Sequence, residues 1–221
     1  MKTKIIKMKQ RGGKNKIIVK GDYTPHFVIF DKTKIYNINK KNINKTSTSI
    51  LSPKSGSEPK YDETQWNQKE IKESHNCYAY ATNIINKQFH SKPQPGYAAR
   101  MPSVPDSEYS CMAFLKRLKK DLPSMYLVDF NSPCIKGFHK SFMAIDTKIE
   151  DPDYHFWRMD DDGLWSHKPG ASKISRVDAS GKKIHNPIKS NRSFSSYQYK
   201  KPCFFFCVNP KLVSIKDSFT K

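Results

Sequence analysis

Two aromatic-rich runs on either side of Asp161-Asp162-Gly163 constrain the fold most. Asp153-Tyr154-His155-Phe156-Trp157-Arg158-Met159-Asp160 reads as a strand, and Leu164-Trp165-Ser166-His167-Lys168 as its return, closed by Pro169-Gly170. Setting His155 opposite His167 places Met159 opposite Gly163 and leaves residues 160–162 as a three-residue loop, a common hairpin connection. Both imidazoles then share one sheet face, where cross-strand Cβ atoms lie roughly 5 Å apart. Alternation sends Ser166 and Asp160 to the other face. A histidine pair held this way suits proton transfer, because a base needs a partner that fixes its tautomer and orientation.

Upstream, Ser74-His75-Asn76-Cys77-Tyr78-Ala79-Tyr80-Ala81 has the form of a helix start. Ser74 and Asn76 are N-cap types. Tyr78, Ala81, Ile85 and Phe89 then recur at helical spacing, predicting a helix that runs on to Phe89. A thiol attacks as its thiolate, and a helix N-terminus favours that form. Cys77 is therefore the candidate nucleophile, His155 the candidate base and His167 the orienting group. His139, in Gly137-Phe138-His139-Lys140, is the rival base, but no polar partner follows it at a hairpin spacing. Asn76, Tyr97 and Trp165 are candidate substrate contacts.

The rest of the chain frames this site. Residues 1–16 read as a basic arm, and Lys16–Lys20 with His26–Asp31 as a hairpin. Asn37–Pro59 reads as a linker or surface-hugging loop, so the extension covers residues 1–60 and the compact domain residues 61–221. Within that domain the sequence predicts a short helix over 66–73, a loop over Pro93–Pro105 beside the cleft, and a helix over Met112–Lys120. Strands are predicted at 125–130, 138–146 and 203–208, with a further one near 174–178. The class is α+β.

The stretches Asn76-Cys77-Tyr78-Ala79-Tyr80-Ala81, Gln94-Pro95-Gly96, Asp153 to Arg158 and Trp165-Ser166-His167-Lys168-Pro169-Gly170 together resemble the papain-like cysteine peptidase superfamily, NlpC-type branch. More narrowly they resemble uncharacterised papain-like proteins of bacteria and of large DNA viruses of protists, over residues 61–210. The resemblance implies an N-terminal helix bearing the cysteine, packed on a small antiparallel sheet or half-barrel. It also implies a Cys77–His155–His167 triad that cleaves amide or isopeptide bonds through an acyl-enzyme, with no metal or cofactor. Peptidase, amidase and acyltransferase chemistry share this nucleophile. The contrasting expectation is a catalytically idle papain-like domain, such as a virion protein, used as a structural or binding module.

The chain carries 40 basic and 20 acidic residues in 221, a net charge of +20. Residues 1–60 hold 15 basic against 3 acidic, residues 61–160 hold 13 of each, and residues 161–221 hold 12 against 4. The segment with Cys77 and His155 is thus neutral between basic ends, which suit nucleic acid, an anionic membrane surface or an acidic protein. Beside these, a peptide or protein substrate is the expected partner. No run of about 20 apolar residues exists for a membrane span, and no signal peptide is recognisable. The odd cysteine count, five, predicts a reducing compartment, cytoplasmic or virion-associated, with Cys203 and Cys207 as packing residues.

Overall fold

A computed structural model describes residues 17–19, 26–28, 51–148 and 150–217. The arm at 1–16 and most of the expected linker, 37–50, lie outside the described residues. The chain divides into two units, Met1–Thr48 and Ser49–Lys221. In the first, strands β1 (Ile17–Val19) and β2 (His26–Val28) pair antiparallel as a hairpin, Ile17 opposite Val28.

Among its described residues the second unit joins four α-helices to a five-stranded antiparallel sheet, an α+β arrangement. Helices α1 (Glu63–Trp66) and α2 (Lys69–Ser74) replace the single helix expected over 66–73. Helix α3 is Cys77–Thr82 and α4 is Cys111–Asp121. The strands are β3 (Tyr126–Val128), β4 (His139–Asp146), β5 (Asp153–Met159), β6 (Trp165–His167) and β7 (Lys201–Val208), ordered β3-β7-β4-β5-β6. Residues 174–178 form isolated bridges to His167 and Lys183 rather than the expected strand.

Strand alternation builds a core on each face. Met143, Ile145, Tyr154, Phe156, Phe206 and Val208 pack against α3 and α4. Phe142, Ala144, Trp157, Met159, Trp165 and Phe205 face the other way, under Ile184 and Tyr199 from an irregular segment. Strand β4, in the middle of the sheet, is buried along its whole length. Residues 51–60 lie against this unit: Ser52 Oγ donates to the Phe130 carbonyl and Ser55 Oγ to that of Phe138.

Two disulfides overturn the reading of the cysteines as packing residues. Cys111 at the start of α4 is bonded to Cys203 of β7, and Cys134 to Cys207. The fifth cysteine, Cys77, is free. The odd count therefore reflects one thiol left out of a paired set.

The β5–β6 register also differs from expectation. Trp157, not His155, lies opposite His167, and Met159 opposite Trp165. The Asp160 N–H bonds the Leu164 carbonyl and the Gly163 N–H returns to that of Asp160. The three-residue loop is thus 161–163, because Gly163 takes a φ of +86° that a loop position needs and a paired strand position does not. Each residue's opposite partner moves by two positions, so each histidine keeps its face.

Among the described residues no helix is long and apolar enough to cross a membrane.

Candidate active site

The site is assembled where β6 stops short. β6 ends at His167, opposite Trp157, so β5 from Asp153 to Phe156 is paired with β4 on one side and, among the described residues, carries no named strand on the other. The start of α3 lies at this edge, and the Phe156 N–H is directed at the Cys77 sulfur. His155 extends from the same strand on the Trp157 face, while Tyr154 and Phe156 face α3. Cys77 and His155 thus both reach the open edge of one strand. Cys77, His155 and His167 all line a single cavity of about 610 Å³.

Helix α3 is held at both ends. The Asn76 carboxamide oxygen accepts the N–H groups of Tyr78 and Ala79, each at 3.2 Å, and its amide donates to the Pro93 carbonyl at 2.8 Å. Asn76 borders the cavity, yet its polar atoms are committed to these bonds. It is the cap that sets where Cys77 points. Replacing Asn76 by Ala is expected to lower stability by about 1–2 kcal/mol in urea denaturation, the usual loss for a side-chain cap. At the far end Asn83 adopts a left-handed conformation, φ 55°, and its N–H closes on the Ala79 and Tyr80 carbonyls. This stops the helix at Thr82, well before Phe89, since Asn tolerates that conformation better than most residues. The buried Arg158 guanidinium lies 3.9 Å over the Tyr80 ring, donates to the Tyr80 carbonyl and the Asn83 side chain, and pairs with Asp160 at 3.1 Å. Tyr78 donates to Asp121 of α4, and Tyr80 shares a hydrogen bond with Ser166 of β6. Ser166 and Asp160 serve this anchorage, on the face away from His155.

The histidine pair has a defined proton order. His167 Nε2 lies 3.2 Å from the Val177 carbonyl, which can only accept, so that nitrogen carries the proton. His167 Nδ1 is then an acceptor, and His155 Nε2–H donates to it at 2.8 Å. The lone pair of His155 therefore sits on Nδ1. Tyr199 stacks on the His155 ring with centroids 5.0 Å apart and Phe194 covers His167 at 5.5 Å, leaving the histidines 3% and 1% exposed. Burial lowers both imidazole pKa values, that of His167 to about 4 and that of His155 well below its usual value, where His167 adds to the effect.

The thiol behaves differently from the sequence expectation. Cys77 is 5% exposed, and burial pushes it up to about 12, helped by the nearby Asp153 carboxylate. The Phe156 and Tyr78 N–H groups and the Lys168 ammonium act the other way but do not win. A helix of six residues adds little dipole to oppose desolvation. At rest the site is a neutral thiol with a neutral imidazole.

Other expected residues lie elsewhere. Trp165 is fully buried in the core behind β6, its indole N–H without a partner, and does not border the cavity. Tyr97 sits in a short 3₁₀ turn with its hydroxyl 2.8 Å from Ser103. The rival His139 is buried with Nε2 on the Ala81 carbonyl, away from the cavity. Three cavity-lining or adjacent residues were not among the expected site residues. Gln94 accepts the Tyr154 hydroxyl. Tyr199 donates to Asp153 at 2.5 Å. Lys168 is buried, its ammonium held by the Lys72 and Gly170 carbonyls and its pKa lowered to about 8 by burial.

No protein-family model and no solved structure matches this chain. Insoluble matrix shell protein 1 of Ruditapes philippinarum is 30% identical over 136 residues, which span 60% of this chain and 81% of that protein. At that identity and coverage, the chain belongs to the family of insoluble matrix shell protein 1.

Proposed function

We propose that this chain is a papain-like thiol enzyme that cleaves or transfers an acyl group from an amide through Cys77. The observation that carries the reading is the hydrogen-bond chain from the Val177 carbonyl through His167 to His155. It leaves the unprotonated nitrogen on His155 Nδ1, and His155 lines the same cavity as the free thiol. In the reaction His155 Nδ1 takes the proton as the sulfur attacks the substrate carbonyl, and His167 steadies the imidazolium that forms. The Cys77 N–H is the first of its helix and has no intrahelical acceptor, while Asn76 satisfies the next two. It is positioned to hold the oxyanion. His155 returns its proton to the departing amine, and water or a second amine then releases the acyl group. Four cysteines paired and one kept free at this point fit a thiol retained for chemistry.

A second reading has its own support. The relative is a shell matrix protein by name, and the resting thiol is buried and neutral, as in a structural module. The excess of basic residues in 1–60 would then attach the module to an acidic polymer or nucleic acid. Under either reading the two disulfides fit an oxidising compartment better than the cytosol. The cytoplasmic expectation rested on unpaired cysteines and loses that support.

Iodoacetamide separates the two. In the folded, oxidised chain the buried, neutral Cys77 is expected to alkylate with the help of His155 as base, and the reaction is expected to be absent in Cys77→Ala. In His155→Gln it is expected to slow by about 100-fold, the usual worth of a positioned base. Alkylation unchanged by His155→Gln favours the structural module.

A further inference from the structure

We infer that the cavity selects a substrate bearing a cationic side chain of the lysine or arginine type, held at Asp153 next to the reacting sulfur. This rests on Cys77 as the nucleophile and adds the substrate class. The cavity, about 610 Å³, falls within the ~300–1,000 Å³ of small-ligand sites. Four tyrosine rings line it, those of Tyr109, Tyr154, Tyr197 and Tyr199, and one carboxylate, that of Asp153. Ring faces attract cations through their quadrupole, and a carboxylate supplies the countercharge. One ring already shows the preference: the Lys148 ammonium lies 5.8 Å over Tyr197 from outside the cavity lining.

The Asp153 carboxylate is set in place. Tyr199 donates to its Oδ2, and Tyr199 is itself stacked on His155. A cation on Asp153 would therefore lie against Tyr199, the ring that covers His155. Asp146 and Asp151 stand near enough to add negative potential at Asp153, though Asp146 is partly offset by Lys148 at 3.8 Å. Two positive groups oppose this, Lys168 near the thiol and Lys92 in the cavity lining. The Lys168 ammonium is bound to two backbone carbonyls, and Lys92 is exposed at the rim by Gly170. In a chain of net charge +20, Asp146, Asp151 and Asp153 are a local gathering of the opposite sign beside the sulfur.

Methanethiosulfonate reagents test the charge at the sulfur directly. The Cys77 thiolate displaces methanesulfinate and forms a mixed disulfide with the reagent's thiol group, so no substrate need be known. Rates for the aminoethyl, methyl and sulfonatoethyl reagents are measured on the full oxidised chain by intact mass. Each is divided by its rate on a neutral cysteine peptide. The normalised aminoethyl rate is expected to exceed the sulfonatoethyl rate by about tenfold or more, against the pull of the whole-chain charge. Asp153→Asn is expected to bring the two within about twofold, and Asp153→Glu to retain the preference. Salt at about 1 M should shrink the preference in the unsubstituted chain, which needs no variant to fold. A charge-blind or anion-preferring Cys77, or a cation preference untouched by Asp153→Asn, overturns cation selection and leaves the nucleophile standing. Failure of Cys77 to react with any of the three removes the nucleophile reading along with it.

Discussion

Lowering the pH from 7 to 5 is expected to cost the folded chain about 5 kcal/mol of stability, because four buried histidines are held neutral. In each case burial is the main cause, and for three the bonding geometry also points to the neutral form. His75 accepts the Asn86 N–H at Nε2 and faces Ser74 Oγ, itself a donor to Glu70, at Nδ1. Protonation at Nε2 would break the first bond. His167 accepts from His155, and a second proton on that pair would set two donors against each other. His139 has Nδ1 buried without a partner, near the Arg158 charge. Burial lowers His75 to about 4, His139 to about 3 and His167 to about 4, with His155 also well below the usual value. An unfolded histidine titrates near 6.5. Below that pH the unfolded chain takes up protons that the folded chain refuses, so stability falls from pH ~6.5 towards ~4 and levels off beneath. Each histidine contributes about 1–2 kcal/mol over this interval. Urea denaturation midpoints measured across pH 5–8 should show the loss. His139→Gln, which keeps a donor for the Ala81 carbonyl, should remove about a quarter of the slope. A stability that is flat from pH 7 to 5 would mean these histidines are not buried as described.

Reducing the two disulfides is expected to lower the melting temperature by roughly 10 °C or more. Cys111–Cys203 closes a loop of 92 residues and Cys134–Cys207 one of 73. Cross-links over loops of this length restrict the unfolded chain by about 4–5 kcal/mol each in the chain-entropy account. The loops overlap, so the second bond adds less than the first. Both bonds reach β7, which lies between β3 and β4. Loss of either frees one point where the rest of the chain is tied to that strand. Calorimetry with and without a phosphine reductant measures the effect, and paired Cys→Ser variants apportion it. An unchanged melting temperature would show that packing alone holds β7.

The sequence made part of this architecture legible, for physical reasons that differ by element. Aromatic alternation in residues 153–168 marked the β5–β6 hairpin and the shared face of His155 and His167. Alternation has a period of two, however, so it fixes the face and not the register. The Gly163 backbone decided the register, and no side-chain pattern reports that. Asn76 announced the start of α3 by its capping chemistry. The end was hidden, because Ile85 and Phe89 keep helical spacing past an Asn83 that turns left-handed. The disulfides were not readable, since pairing depends on which loops the fold brings together. Lys168 and Tyr199 were missed for a related reason: a lysine at a strand end and a tyrosine in an irregular segment gain their roles only from what covers them. The thiol was misjudged in the same way, as a short helix promised activation and tertiary burial supplied the larger, opposite effect.

The most direct measurement is acetylation by p-nitrophenyl acetate, followed by peptide mapping of the full oxidised chain. The account expects an initial burst of nitrophenolate with the acetyl group on the peptide that contains Cys77. It expects no burst in Cys77→Ala and a burst slowed by about 100-fold in His155→Gln. Acetyl groups confined to surface lysines, at a rate indifferent to both substitutions, would contradict it.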